Sequence, residues 1–150
     1  MKPILALSIL FLSISHAQEG TMIKSMTPNL MVQDVNNSID FYRGVLGFEV
    51  IATVPDSGKF DWAWMKHGTV ELMVQTMPSL VQDLPEFKGR PIGATQTLYT
   101  KVENVKRLFE QIKGRANVVL GLKTTFYGME EFSIKDPDGY LITFASEVEK

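Results

Sequence analysis

Apolar and polar residues recur along the chain with two different periods, and these divide it into strands and amphipathic helices. In the first half, residues 29–33 form a short apolar run that predicts a strand. The next apolar positions recur at spacings of three and four, which predicts a helix. Its stripe comprises Ile39, Tyr42 and Leu46. Asp34 or Asn36 can cap the start of this helix, and Gly47 suits the left-handed residue that ends it. Extended segments follow at 48–54, 60–65 and 69–75.

The second half repeats this order at an offset of 70 residues. Residues 97–102 are predicted to be a strand, Asn104 is a cap candidate, and Gly114 is predicted to end the second helix. The apolar stripe of that helix comprises Val105, Leu108 and Ile112. Residues 117–122 are predicted to be the next strand. Because element order and register both recur, the chain is predicted to contain a duplicated βαβββ unit.

The last two strands are predicted to form a hairpin around residues 136–139. Pro137 fixes φ at the first corner, the flanking aspartates can bond their own backbone, and Gly139 accepts a positive φ. The arms, 131–135 and 140–144, are rich in aromatic and β-branched residues, as strands are. Residues 77–93 are predicted to be a long connection with one helical turn near 80–84.

The predicted fold class is α+β, with two paired βαβββ modules forming a curved mixed sheet around a shared cavity. The modules are assigned to residues 27–76 and 94–146, within a single domain at 27–148. Each module is too small to bury both faces of its sheet, so pairing them is the economical solution. An ordinary α+β domain with a filled core is the alternative.

The N-terminus is typical of a signal peptide. Lys2 gives the N-terminal region a positive charge, residues 4–14 form an apolar run, and small residues permit cleavage after Ala17. Residues 1–17 are therefore predicted to be removed, and residues 18–26 to form a lead segment. The alternatives are an uncleaved anchor and a start assigned too early. The expected location is the periplasm or the extracellular medium, or the cytoplasm if translation starts at Met22.

Charge and composition narrow the possible partners and chemistry. The net charge is −2 and the pI is near 5.7, with no basic stripe, so neither nucleic acid nor a membrane beyond the signal segment is expected as a partner. The chain has no cysteine, which excludes disulfides, thiolate metal sites and a cysteine nucleophile. Removal of the signal peptide leaves His67 as the one histidine.

Four stretches in this order resemble the vicinal-oxygen-chelate superfamily, which includes glyoxalase I, bleomycin-resistance proteins and extradiol dioxygenases. They are VQDVNNSIDFYR at 32–43, LGF at 46–48, VELM at 70–73 and FSIKDPDG at 132–139. The likeness extends from about residue 26 to residue 146. In the metal-dependent members, four positions point into the cavity and are usually histidine, glutamate or glutamine. Matching by motif, these positions carry Thr27, Glu71, Thr97 and Thr143.

This set of side chains argues against a metal-dependent activity. A neutral hydroxyl is a weak ligand for a divalent transition ion, which prefers imidazole, thiolate or carboxylate. His67 is predicted to lie in a turn at the edge of the sheet, where it is solvated. No cofactor is therefore expected, and a divalent metal is the disfavoured alternative.

A cavity without a metal is still predicted to bind a small organic molecule, as in the bleomycin-resistance branch, which sequesters its drug in the grooves of a homodimer. Glu71 and the three threonines are expected to form hydrogen bonds with the ligand, for which an antibiotic or another toxic compound is the candidate. The candidates for flat apolar walls are Trp62, Trp64, Tyr99, Phe126 and Tyr127. The alternative for the two tryptophans is ordinary core packing.

Two other classes of function compete with sequestration. One is a glyoxalase-type lyase or isomerase in which Glu71 is the general base, with or without an unconventional metal. The other is an interaction module, whose contact surface would be residues 77–93 together with an exposed pair, Glu130 and Glu131.

Overall fold

The computed structural model describes residues 23–93 and 95–148. The elements run in the order β1 (Asn29–Val32), α1 (Val35–Leu46), β2 (Glu49–Val54), β3 (Trp62–His67), β4 (Val70–Thr76), α2 (Met77–Asp83), β5 (Thr97–Lys101), α3 (Val105–Ile112), β6 (Asn117–Thr124), β7 (Met129–Lys135) and β8 (Leu141–Glu147). The predicted signal peptide lies outside the described residues. Among those residues, no helix has the length and apolar character needed to cross a membrane.

The strands form two four-stranded sheets with the same topology. The first has the order β1-β4-β3-β2 and the second the order β5-β8-β7-β6. In each sheet the first strand is parallel to the last strand of its module, and the other pairs are antiparallel. The predicted α+β class and the pairing of two βαβββ modules are confirmed.

The boundaries of α1 follow from the residues that flank it. The side chain of Asp34 accepts a hydrogen bond from the backbone N–H of Asn37 at 3.0 Å, so Asp34 is the N-cap. Asn36, the other cap candidate, instead bonds the loop before β3, accepting from the N–H of Phe60. At the C-terminus Gly47 has φ of 73°, as predicted.

The end of α3 differs from the prediction. The helix ends at Ile112, and the next residue, Lys113, keeps right-handed helical angles. The backbone N–H groups of Arg115 and Ala116 both bond the carbonyl of Ile112, at 2.8 and 2.9 Å. A tight turn therefore satisfies this carbonyl, and Gly114 does not adopt the left-handed conformation.

The long connection begins with α2, which starts three residues before the predicted helical turn. Pro78 occupies the first turn, where its missing N–H breaks no helical bond. Leu80 is buried, and the Gln75 side chain donates hydrogen bonds to Ser79 Oγ and Asp83 Oδ2. These contacts fix α2 against the first sheet.

Both modules contribute to one hydrophobic core, which lies between the helices and the helix-facing sides of the sheets. Its members from the first module are Leu30, Val32, Val35, Ile39, Tyr42, Ala63, Met65, Leu72 and Val74. Its members from the second module are Val105, Ile112, Phe132, Ile134, Tyr140, Ile142 and Phe144. The two modules therefore pack around the same core.

The predicted hairpin turn also joins the modules. Asp136 Oδ1 accepts the backbone N–H groups of Asp138 and Tyr140, and Gly139 has φ of 92°. The other oxygen of Asp136 accepts the hydroxyl of Tyr42 in α1 at 2.8 Å. Asp138 accepts the backbone N–H of Gln33 at 2.8 Å. The turn of the second module is thus bonded to the start of the first.

Candidate functional site

Each sheet has a second face, which points away from the shared core. In the first sheet, alternation along β3 and β4 places five side chains on this face: Trp62, Trp64, Glu71, Met73 and Gln75. Trp62 lies opposite Gln75, and Trp64 opposite Met73. We call this surface the open face of the first sheet. The second sheet has an equivalent open face, which carries Thr97, Tyr99, Glu131, Ser133 and Thr143.

The structure brings Thr27 and Glu71 together. Strand β1 runs parallel to β4 with Asn29 beside Met73, so the residue two positions earlier aligns with Glu71. The hydroxyl of Thr27 donates to Glu71 Oε2 at 3.1 Å, and both residues are partly buried. This hydroxyl is the hydrogen-bond partner that the structure gives the Glu71 carboxylate.

The equivalent positions of the second module also meet. The hydroxyls of Thr97 and Thr143 lie 3.3 Å apart, because β5 pairs with β8 in the same parallel arrangement. Thr143 also shares a 2.9 Å hydrogen bond with Ser133, which lies opposite it on β7. Sequence reasoning missed Ser133, although the register of the hairpin would have placed it beside Thr143.

A cavity of about 360 Å³ lies between the modules and receives side chains from both. Three of the predicted site residues line it, namely Glu71, Thr97 and Tyr99. The apolar part of its lining includes Leu46, Phe48, Leu72, Leu98, Ile142 and Phe144. The cavity therefore combines a mostly aliphatic and aromatic wall with one carboxylate.

The two tryptophans predicted as ligand walls are half-buried and lie on the open face of the first sheet rather than in the lining of this cavity. The indole nitrogen of Trp64 is buried and has no hydrogen-bond partner among the described residues. The structure thus places both tryptophans on one face of the first sheet, but not beside the cavity.

The open face of the second sheet holds a cluster formed by Tyr99, Glu131 and Tyr127. Both phenol hydroxyls donate to Glu131 Oε1, at 2.6 Å from Tyr99 and 2.8 Å from Tyr127. The hydrogen bond to Glu131, followed by desolvation, raises the pKa of Tyr99 to about 12. The same bond raises the pKa of Tyr127. Both tyrosines are therefore neutral hydrogen-bond donors at physiological pH.

Burial of Glu131 contradicts the prediction that Glu130 and Glu131 form an exposed contact surface. Only 5% of Glu131 and 9% of Glu130 is exposed. Both lie on β7, an inner strand covered by neighbours on each side. Glu130 faces the other way and pairs with Lys106 at 3.0 Å.

The profile of the glyoxalase/bleomycin resistance protein/dioxygenase superfamily matches residues 14–144, most of the chain. The chain belongs to this superfamily. No functionally curated protein matches the sequence. Solved structures of similar fold include TioX from Micromonospora sp. ML1, with a TM-score of 0.66 and 20% identity over 82% of this chain and 98% of TioX.

Two further solved structures, from other bacteria, have similar TM-scores to this chain. A glyoxalase/bleomycin resistance protein/dioxygenase from Nocardioides has a TM-score of 0.69 and 15% identity, over 87% of this chain and 88% of its own. Virulence protein STM3117 from Salmonella typhimurium has a TM-score of 0.63 and 23% identity, over 85% of this chain and all of its own. At these identities the similarity concerns the fold.

Metal-dependent members of the superfamily hold a divalent ion, but the residues at the four matching positions do not fit one. Three hydroxyls and one carboxylate, Glu71, supply too few strong donors for a transition ion. The described residues contain no group of three or more histidines and acids placed to bind a metal. His67 is exposed at the end of β3, where its ring lies 5.9 Å from that of Phe48.

Proposed function

We propose that this superfamily member binds a small organic molecule without a divalent metal and acts by sequestration. The observation that carries the proposal is the pairing of Thr27 with Glu71 and of Thr97 with Thr143, beside a cavity with a mostly apolar lining. Hydroxyls and a carboxylate supply directional hydrogen bonds, and the aliphatic and aromatic walls supply apolar contact area for the ligand. A cavity of about 360 Å³ lies within the size range of small-molecule sites.

The open faces support a homodimer as the binding unit. On the second sheet, large apolar or aromatic side chains are exposed, with Tyr99 at 49% and Leu120 at 40%. On the first sheet, the half-buried Trp62 and Trp64 offer a complementary apolar surface. We expect the open face of the first sheet in one copy to pack against the open face of the second sheet in its partner. This packing would enclose both hydroxyl pairs. A signal peptide would place this dimer in the periplasm or outside the cell.

A catalytic role for Glu71 is the competing proposal, because this carboxylate lines the cavity and accepts a hydrogen bond from one hydroxyl alone among the described residues. A carboxylate in that position can act as a general base toward a carbon acid. The two roles differ in their response to Glu71→Gln. If the protein sequesters its ligand, Glu71→Gln lowers the affinity for that ligand. If Glu71 is a catalytic base, the wild type forms product and Glu71→Gln forms it more slowly or not at all.

The test is thermal unfolding of the full chain against a panel of bleomycin-like, aromatic and hydroxyl-rich compounds, followed by calorimetry of each hit. Losing a charged hydrogen bond costs about 1.5–3 kcal/mol, so Glu71→Gln should weaken a hit by roughly 10-fold to 100-fold. Glu86→Gln, on the exposed turn after α2, is the matched control and should leave affinity unchanged. Absence of any hit, or hits that respond equally to both substitutions, would overturn the proposal.

A further inference from the structure

Glu131 is the most deeply buried acid on either open face. Its carboxylate accepts both phenol hydroxyls on a single oxygen, Oε1, and its exposed fraction is 5%. Tyr99 reaches it from β5, across β8, and Tyr127 reaches it from the turn between β6 and β7. We call these three residues the tyrosine–glutamate cluster.

The charge of Glu131 has no ionic partner within the described residues. The ion pairs there join Lys59 to Asp34, Lys106 to Glu130 and Lys113 to Glu110. The cation opposite Glu131 on β6 is Lys123, but it is exposed and forms no salt bridge. Burying a carboxylate against two neutral donors compensates only part of its desolvation cost. The two phenol donors thus leave the carboxylate without an ionic partner in the described part of the chain, and a bound cation would supply one.

The residues that donate to Glu131 are aromatic and, in the single chain, partly exposed. About half of each tyrosine residue is exposed, 49% for Tyr99 and 55% for Tyr127. Phe126 is fully exposed and lies edge-to-face with Tyr127, with ring centroids 4.9 Å apart. Because both hydroxyls donate to Glu131, the carboxylate polarises the phenols and makes their rings more electron-rich. Ring faces of this kind attract cations.

We propose that the tyrosine–glutamate cluster binds the ammonium group of a small organic cation, with Glu131 supplying the charge and the two tyrosine rings supplying the walls. This assignment rests on the proposed function and names the class of its ligand. An anion would be repelled by Glu131, and one carboxylate is too little to hold a divalent ion. A methylated or primary ammonium, by contrast, matches both the charge and the ring faces.

The experiment is an amide NMR titration of the full chain with choline, at constant ionic strength. The comparison compound is the uncharged isostere of choline, in which a tert-butyl group replaces the trimethylammonium. Choline should produce saturable shifts centred on residues 99, 127 and 131, and should bind at least about tenfold more tightly than the isostere. Glu131→Gln keeps an oxygen that accepts the phenol bonds but removes the charge, so affinity for choline should fall about tenfold or more.

Two further variants separate binding from a structural role. Glu110→Gln removes an exposed acid elsewhere and should leave choline binding unchanged. Lys123→Gln tests whether this lysine is the true partner of Glu131. If Lys123→Gln destabilises the fold as much as Glu131→Gln and choline does not bind, the cluster is a structural ion pair and the proposal is overturned.

Failure of this assignment can be distinguished from failure of the proposed function. Equal affinity for choline and its isostere, or an unchanged affinity in Glu131→Gln, refutes the cationic ligand class. If uncharged compounds nevertheless bind and respond to Glu71→Gln, the sequestering function stands and only the ligand class is wrong. If neither kind of compound binds, both proposals fail.

Discussion

Replacing Tyr42 with phenylalanine tests whether the hydrogen bond between the modules is a major source of stability. Tyr42 is 1% exposed, and its hydroxyl donates to Asp136 Oδ2 at 2.8 Å. Asp136 is 4% exposed and uses its other oxygen for two backbone N–H groups of the hairpin turn. Tyr42→Phe therefore leaves one oxygen of a buried carboxylate without a donor.

The magnitude follows from the charge of the acceptor. A hydrogen bond to a charged group contributes about 1.5–3 kcal/mol, and a buried acceptor left unpaired is at the upper end. We expect Tyr42→Phe to lower the free energy of unfolding by about 2–3 kcal/mol, and the melting temperature by about 8–12 °C for a domain of this size. Tyr140→Phe is the matched comparison, because its buried hydroxyl donates at 2.9 Å to an uncharged acceptor, the carbonyl of Met31. Its expected cost is about 1 kcal/mol.

The assay is urea unfolding at neutral pH, followed by circular dichroism, for both variants and for Tyr42→Phe combined with Asp136→Asn. Because the cost arises from an unpaired charge, the double variant should be less destabilised than the sum of the single variants. A loss below about 1 kcal/mol for Tyr42→Phe, or equal losses for the two tyrosines, would refute this reasoning.

Three further predictions concern the same elements. Burial raises the pKa of Asp136, so just above the ordinary aspartate pKa the folded chain retains a proton that the unfolded chain releases. Relative to Asp136→Asn, the wild type should therefore gain stability as pH falls through this window. Urea unfolding that shows the opposite dependence on pH would contradict this prediction. The N-caps Asp34 and Asn104 each accept one backbone N–H, so replacing either with alanine should lower the free energy of unfolding by about 1 kcal/mol in the same assay. An unchanged unfolding midpoint would exclude a capping role. Gly47→Ala should destabilise the fold by about 1 kcal/mol, because Gly47 has φ of 73°. Gly44→Ala lies within α1 with open space at its Cβ, so it should stabilise the fold by up to about 1 kcal/mol. A higher melting temperature for Gly47→Ala than for Gly44→Ala would contradict both.

The fold was predictable because its signals are local. The apolar stripe of α1, the cap at Asp34 and the left-handed Gly47 depend on residues within a few positions of each other. The hairpin at 136–139 likewise depends on its own turn chemistry. The end of α3 was missed because a tight turn replaced the expected glycine cap at Gly114, and residues outside the helix supplied its donors.

The candidate site was less predictable because it depends on contacts between distant residues. The motif placed Thr27 and Glu71 at matching positions, and the parallel pairing of β1 with β4 brings them together. Burial of Glu131 could not be predicted from alternation, since it requires Tyr99, 32 residues away, to cross β8. Trp62 and Trp64 are two residues apart on β3 and so share a face, but the local sequence does not show which surface that face borders.

Our central claim is that the hydroxyl pairs and Glu71 bind an organic molecule rather than a divalent ion. Native mass spectrometry of the full chain, with nickel, zinc and manganese added one at a time, tests this claim directly. Metal-free ligand binding predicts no stoichiometric metal, and it predicts that the wild type and Glu71→Gln give the same spectrum with each ion. One tightly held ion per chain in the wild type, lost in Glu71→Gln, would contradict it.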